Sequence, residues 1–593
     1  MKQSLTRRGL LGALGGAVAA TAGCQAPGSP AESSPGVQAA NAQSSAAAST
    51  QPESAYTAVY EQVVDAVASV RVYADAGTGS QGSGFLVDDE HAAKFATAVS
   101  AIPLVGSVWM YYVYLTEYQG VGNALLSPET VAFRQSIDWI ELGGYTLQYS
   151  VGLDGVSMPL LTLTGVLTTL ALVSSWTPID ERQSQFYGLM LLMEVSLIGV
   201  FAALDFFLWF VFWEGVLIPM YLLIGIWGGP RRKYAAIKFF VYTNVASLVM
   251  FVGFFALVFS LGPSLGSFGL PEIAQALRGG AVLVPVAGIT AAQLKVLAFI
   301  AMFFGFAVKV PVFPLHTWLP DAHVEAPTPV SVMLAGVLLK MGTYALLRFN
   351  FTMLSDVATG EVTAILPFSM PVAIAVIGVF SVIYGAMLAL AQRDLKRIVA
   401  YSSISSMGYV ILGLVAFTPH GMGGATFQMI SHGLISGLMF MAVGVIYNET
   451  HTRMVGDMSG LADRMPWTVG IFVSAAFGYM GLPLMSGFAA EVFIFLGSFG
   501  ATETLGQLAP VLTSVAMFGI VIVAGYLLWA MQRTLFGEYE LETDYELNGA
   551  AFHDVAPLAV LLLLVIALGV APDLSYGMIQ EAVNPILDIG GGV

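Results

Sequence analysis

The chain has 593 residues, of which 57% are hydrophobic and only 10% charged, less than half the roughly 25% charge of ordinary soluble domains. So apolar a composition excludes a soluble globular protein, and a formal net charge of −16 argues against nucleic acid or an anionic lipid surface as the main partner. The single cysteine, Cys24, excludes an intrachain disulfide framework and any multi-cysteine metal or iron–sulfur site, so no cofactor is expected in this chain.

Residues 1–91 differ in character from everything after them. Thr6-Arg7-Arg8-Gly9-Leu10-Leu11, with the apolar run to Ala22, reads as a twin-arginine export signal, and Thr21-Ala22-Gly23-Cys24 as a lipobox, so 1–24 is assigned as a lipoprotein-like signal. Residues 25–55 are rich in Ala, Ser, Gln and Pro and form a low-complexity linker that buries too little apolar surface to fold. In 56–91, Val63–Val72 and Gly82–Val87 resemble the first strands of trypsin-like serine proteases of the HtrA group. The resemblance stops at His91, before the catalytic histidine and nucleophile loop of that family, so this head is expected to be disordered or partly stranded and without protease activity.

Residues 92–593 form the membrane domain. Apolar stretches of about 20 residues each suit a bilayer span, and they predict about thirteen, near 92–116, 153–176, 185–203, 205–228, 235–261, 293–316, 328–349, 365–391, 396–417, 424–447, 467–499, 509–535 and 554–575. The fold class is therefore an all-α polytopic membrane protein. Basic residues at 231–233, 393–397, 453, 464 and 533 fall on one face when helices are counted between them, and the positive-inside rule makes that face cytoplasmic. Counting back places Lys94 there too, whereas an exported head would place residue 91 on the opposite side. The conflict is read as a join in which the head replaced a first helix.

Within these spans ionisable groups stand out. Lys309 sits in the apolar run Phe303–Leu315 and Glu214 in Phe206–Ile226, where each costs about 2.5–3.5 kcal/mol at a helix centre. Lys309-Val310-Pro311 with Pro314, and Gly481-Leu482-Pro483 with Ser486-Gly487, predict two interrupted helices, because each proline removes a helical hydrogen bond. An ionisable residue flanks each break, Lys309 and Glu491, the pattern of an inverted-repeat transporter with ion sites near the midplane. Moving a carboxylate towards or away from a desolvated lysine changes whether the amine keeps its proton, which makes Glu214 and Lys309 a candidate switch.

The stretches FFLWFVFWEGVLIPMYLLIGIWG (206–228) and VKVPVFPLHTWLPDAHVEAPTPVSVMLAGVLLKMGTYALLR (308–348) resemble the antiporter-like membrane subunits of respiratory complex I, most closely the chain M (chain 4) type. Tyr401-Ser402-Ser403-Ile404, Ser431-His432-Gly433-Leu434 and His451-Thr452-Arg453 extend the likeness from about Ala92 to the C-terminus. It implies a proton pump of two inverted halves, acting with other membrane-arm subunits of a quinone-reducing oxidoreductase in the cytoplasmic membrane, with electrons moving elsewhere. The rival is a subunit of a multi-chain sodium/proton antiporter; glutamate rather than lysine at 491 favours the chain M type.

Carried over by motif, Glu214 and Lys309 form the input pair, Lys340 is the central relay, His432 bridges onward and Glu491 is the exit terminus. Lys238 joins the Glu214 cluster or pairs with lipid phosphate. Ser406 stands where many relatives carry histidine, which weakens a relay role there. Asp154 and Glu194 are read as structural, and His316, Asp321 and His323 as parts of a hydrogen-bonded loop rather than metal ligands. The His451-Thr452-Arg453 turn is expected to contact a neighbouring subunit or the chain's own helix ends.

Overall fold

The computed structural model describes residues 89–587 apart from 119, 263–264, 282, 286–287, 361–368, 544, 546 and 548. The signal, the linker and nearly all of the protease-like stretch lie outside these residues. Helix α1 spans Asp89–Glu117, so residues 89–91 belong to the first described helix rather than to the preceding fragment.

After α1 comes a departure from the all-helical expectation. Strands β1 (Ala132–Leu142) and β2 (Tyr145–Leu153) pair antiparallel as a hairpin. Its turn is Gly143-Gly144, with φ of 57° and 90°. A two-residue turn of this kind needs positive φ at both central positions, which glycine supplies without steric cost.

The helices then follow in order: α2 (Ser157–Ser174), α3 (Gln183–Ala202), α4 (Phe206–Trp227), α5 (Arg232–Leu261), the short α6 (Leu270–Arg278), α7 (Ala291–Lys309), α8 (Trp318–Glu325), α9 (Thr328–Met353), α10 (Met370–Leu390), α11 (Leu395–Val415), α12 (Pro419–Thr450), α13 (Pro466–Tyr479), α14 (Ser486–Phe499), α15 (Thr502–Thr534), α16 (Phe552–Val570) and α17 (Asp573–Leu587). Local chemistry sets several starts. Asp205 accepts from the backbone N–H of Phe207 and Leu208, and Asp394 from those of Lys396 and Arg397. Thr290 and Gln293 close a capping box on α7, and Thr418 caps α12 ahead of Pro419. Each device satisfies N–H groups that a helix start leaves without partners.

Among the described residues, twelve helices are long and apolar enough to cross a membrane. The pair α13 and α14, 14 residues each, forms one further interrupted segment, which meets the expected thirteen. This is a multi-pass membrane protein. The two breaks fall where the prolines predict them. Helix α7 stops at Lys309, and after Pro311, whose φ is +26°, the chain resumes as α8. Residues 316–323 are thus a turn running into a short helix, not a loop throughout. Helix α13 stops before Gly481, with φ of +62°, and α14 starts at Ser486. A side chain at 481 would collide with Glu491 Oε2, so glycine there is also a matter of space.

Helices α9 and α12 are the centre of the bundle. Their most apolar windows are wholly buried, against 17% for α1. A helix buried on every side carries no polar stripe, and the polar groups it does hold must find partners inside the protein. Gly336 of α9 and Gly433 of α12 sit face to face: a Cβ at 433 would lie 2.8 Å from the Gly336 carbonyl oxygen. Small residues let two membrane helices approach this closely.

A second buried polar contact fastens the hairpin end of the bundle to α9. Asp154, just after β2, accepts from Arg348 Nη2 at 2.5 Å and from the Ala124 and Ser157 backbone N–H groups. Burial pushes the Asp154 carboxyl up, but the adjacent guanidinium and the backbone donors outweigh it and hold the carboxyl below the usual carboxylate range. This agrees with the structural role expected for Asp154. Glu194 likewise takes a local partner, the Ser100 hydroxyl at 2.9 Å.

Removing one member of a buried ion pair strands the other, at a cost of about 3–5 kcal/mol. Asp154→Asn should therefore lower the thermal unfolding midpoint in detergent substantially, and Asp154→Leu combined with Arg348→Met should regain much of it. Because the native carboxyl is held low, the pair's contribution is present above about pH 4 and is lost as pH falls through the depressed native value. The double variant should lack that acid-side loss.

Candidate functional site: a buried polar line

The Gly336–Gly433 approach positions the central contact. Lys340 lies one turn beyond Gly336 and His432 immediately before Gly433, and Lys340 Nζ is 2.6 Å from His432 Nδ1. Residues 334–338 and 346–353 wind as wider π turns on either side of Lys340. Lys340 Nζ also donates to the Ala335 carbonyl at 2.6 Å. Both side chains are buried, 0% exposed for Lys340 and 1% for His432.

From His432 the line continues. Its Nε2 lies 3.4 Å from the Tyr479 hydroxyl, which is 3.5 Å from Ser403 Oγ. Beyond is a cavity of about 10 Å³ lined by Ser406, Gln428, His432, Tyr479, Gly487 and Glu491. That is about the space one water needs. Gln428 Oε1 is buried here without a hydrogen-bond partner. Ser431 Oγ donates to Ser486 Oγ at 2.8 Å, tying α12 to the first residue of α14 and so fixing Glu491 against the cavity. The structure thus brings Lys340, His432 and Glu491 together as the sequence predicts. Ser406 lines the same cavity as His432 and Glu491, with a side chain small enough to leave it open.

The input half is built differently from expectation. Lys309, at the end of α7, is fully buried. Its Nζ donates to the Trp213 carbonyl at 3.2 Å and sits 3.7 Å from the centroid of the Trp213 ring. A cation over an indole face gains about 2 kcal/mol or more when desolvated. Glu214 is half-buried, with Oε1 unpartnered and Oε2 accepting from Asn244 Nδ2 at 3.4 Å. No ion pair joins Lys309 and Glu214 among the described residues; the amine rests on the neighbouring tryptophan instead. Nor does a hydrogen bond link the side chains of Lys309 and Lys340, although α9 packs so close to the break that a Cβ at Gly342 would lie 3.0 Å from the Val310 nitrogen.

Lys238 pairs with a carboxylate other than Glu214. Its Nζ donates to Asp321 Oδ2 and to the Thr317 carbonyl, both at 2.8 Å. Asp321 also faces Arg231 and Arg397, at 3.9 and 3.5 Å, so it collects basic residues from the starts of α5 and α11. The reason is geometric: α8 projects Asp321 back across the start of α5, closer than Glu214 can reach. The His451-Thr452-Arg453 turn meets the chain's own helix ends. Arg453 Nε donates to Asp394 Oδ2 at 2.7 Å and its Nη1 to the Val324 carbonyl at 2.9 Å.

Tyr479 and Gln428 went unnoticed in the sequence. A tyrosine and a glutamine in long apolar helices carry no spacing signal, and only the packing of α12 against α13 and α14 gives them a role. Inward polar groups that run across a bundle interior mark ion or proton pathways.

Such a bundle, with two interrupted helices and a buried lysine–histidine–carboxylate line, defines a cation-translocating membrane protein of the antiporter-like class. Residues 203–517, more than half of the chain, match the NADH:quinone oxidoreductase/Mrp antiporter transmembrane family, and the chain belongs to that family. It is 43% identical over 441 residues to NAD(P)H-quinone oxidoreductase chain 4 1 of Synechococcus elongatus, covering 74% of this chain and 78% of that one. It is 39% identical over 471 residues to F(420)H(2) dehydrogenase subunit M of Methanosarcina mazei, covering 79% and 89%. Among solved structures, a chain of respiratory complex I from Thermus thermophilus superposes with a TM-score of 0.69 at 25% identity, covering 85% of this chain and all of that one.

Filling the cavity with Ser406→Leu should slow proton exchange at Glu491 by roughly 10²-fold, the lower end of what a positioned proton carrier contributes. Time-resolved infrared absorption of the protonated carboxyl measures this. Ser406→Ala, which leaves the cavity open, should stay close to the unmodified chain.

Proposed function

We propose that this chain is a proton-translocating membrane-arm subunit of a quinone-reducing respiratory complex, of the chain 4 type. The observation that carries the reading is the buried line from Lys340 through His432 and Tyr479 to the cavity at Glu491. Family membership and the chain 4 relatives support it, and so does glutamate at the second break. Electron transfer belongs to partner subunits, and this chain's part is to turn their free energy into proton movement across the bilayer.

In this reading each ionisable group has a task. Lys309, resting on Trp213, holds a proton in the input half. Glu214, one residue from Trp213 and with a free carboxylate oxygen, sets how strongly Lys309 keeps that proton. A modest approach of the carboxylate would form the ion pair that the resting geometry lacks. At a few ångströms in a low-dielectric interior such a change is worth several kcal/mol, enough to move a proton by orders of magnitude in equilibrium. Lys340 receives the proton and exchanges it with His432 across their shared hydrogen bond. His432 passes it by its second nitrogen towards the Tyr479 hydroxyl and the Glu491 cavity, and Glu491 releases it. Lys238, held by Asp321, acts as an anchor at the mouth rather than as a carrier.

The test is Lys309→Met, which keeps a stem to lie on Trp213 and removes the titratable amine. In the intact complex reconstituted into vesicles, the ratio of protons moved to electrons passed should fall by this chain's share while assembly persists. An unchanged ratio refutes the role of Lys309.

A further inference from the structure

The seat of Lys309 is left unexplained by the relay just described. A carboxylate, Glu214, stands beside Trp213 in sequence, yet the buried amine rests on neutral groups of Trp213 alone. The geometry of α4 shows how. Its regular winding lapses at Val216, between Phe206–Gly215 and Leu217–Trp227, and Pro219 lacks the N–H that would bond the Gly215 carbonyl. The last carbonyls of a helical segment have no donor within it, and that of Trp213 accepts from Lys309 Nζ at 3.2 Å. The Trp213 ring takes the same amine on its face, 3.7 Å from the centroid. This ring is fixed on several sides. Its N–H donates to Ser247 Oγ of α5 at 3.0 Å, Trp209 stacks on it with centroids 4.8 Å apart, and Phe306 of α7 meets it edge-on at 5.6 Å.

Glu214 is held apart from the amine by the same helix that fixes the ring. Its Oε2 accepts from Asn244, three residues before Ser247 on α5, and its Oε1 has no partner. Residues three apart share a helix face, so one face of α5 holds two consecutive side chains of α4, each able to take the Lys309 ammonium. The two differ in kind. Opening a buried ion pair strands a charge that has lost its hydration, so a lysine with only a carboxylate for partner is hard to release. An aromatic face attracts an ammonium through its quadrupole and carries no net charge, so it stabilises the cation and still lets it go. Leucine or methionine at 213 would fill the space and offer the charge nothing.

We propose that Trp213 is a positioning residue whose indole face is a second seat for the Lys309 ammonium, and that the amine crosses between this ring and the Glu214 carboxylate in each cycle of transport. On the ring, Lys309 keeps its proton without being locked to a counter-charge. A small movement of α4 against α5 that frees Glu214 from Asn244 brings the carboxylate to the amine, and the return movement leaves the ammonium on the ring. Ser247 keeps the ring turned to receive it. The inference deepens the reading above and rests on the proton-holding role proposed there for Lys309.

Fluorine separates the electrostatic role of this ring from its bulk. Each fluorine on the benzo ring of an indole draws charge from the π face and weakens its hold on a cation, with little change of shape and with the N–H kept. Tryptophans bearing one to four fluorines are placed at position 213 alone, by nonsense suppression, in the intact complex. The measurement is the proton-to-electron ratio in vesicles, normalised to quinone reduction and to the amount of this chain recovered with its partners. This chain's share of protons should fall with each added fluorine and approach, at four, the loss seen in Lys309→Met. The same series at Trp139, exposed on β1, should leave the ratio full. An unchanged ratio across the series at 213, or a loss as large at one fluorine as at four, overturns the inference. A full ratio in Lys309→Met instead overturns the role of Lys309 on which it rests, so the two failures are told apart.

Discussion

The contact between Lys340 Nζ and His432 Nδ1 organises the centre of this molecule, and it exists because two backbones meet at Gly336 and Gly433. A buried amine and a buried imidazole each pay heavily for lost hydration. They meet that cost by sharing one hydrogen bond, and the Ala335 carbonyl, in a π turn, takes another from the amine. A Cβ at 433 would crowd the Gly336 carbonyl oxygen at 2.8 Å and so press on the crossing that brings the two groups together. The two most buried helices of the bundle are therefore also the ones that carry its central chemistry.

The two interrupted helices extend this arrangement in opposite ways. At the first, the broken end places Lys309 on the face of Trp213, whose indole N–H is held by Ser247 Oγ at 3.0 Å. At the second, the break puts Glu491 beside a small cavity and packs Gly481 directly against its carboxylate. One charge is stabilised by an aromatic ring and the other group by room for water. Irregular backbone at membrane depth is tolerated where it lines such a cavity or is buried in protein. Meanwhile Asp321, Glu325 and Asp394 gather the basic residues Arg231, Lys238, Arg397 and Arg453 into a cluster over the ends of the short helix α8.

Much of this was legible in the chain. Segment number followed from apolar run length, and both breaks from their prolines. Lys309, Lys340, His432 and Glu491 stood out because ionisable residues in apolar runs are expensive. Other features were less readable. The β hairpin had a local signal in Gly143-Gly144 between alternating residues, and it was overshadowed by the helical character of its surroundings. The short helix α8 is hidden in the sequence because Pro314 and Pro320 suggest irregular backbone, yet Pro320 falls in its first turn, where a missing N–H costs nothing. Lys238 meets Asp321, a carboxylate distant in sequence, rather than the nearer Glu214.

By itself the sequence determined the membrane-spanning class, the order and approximate bounds of the helices, and which side chains are costly to bury, since these depend on composition and local backbone chemistry. Tertiary structure alone decided which of those side chains touch. That Trp213 rather than Glu214 holds Lys309, that Tyr479 and Gln428 border the path to Glu491, and that the His323 ring lies on Phe440 all depend on how distant helices are rotated and how closely they approach. Hydrogen bonding and desolvation act over a few ångströms, and residues separated by 92 positions, as Lys340 and His432 are, reach that range only when the bundle closes.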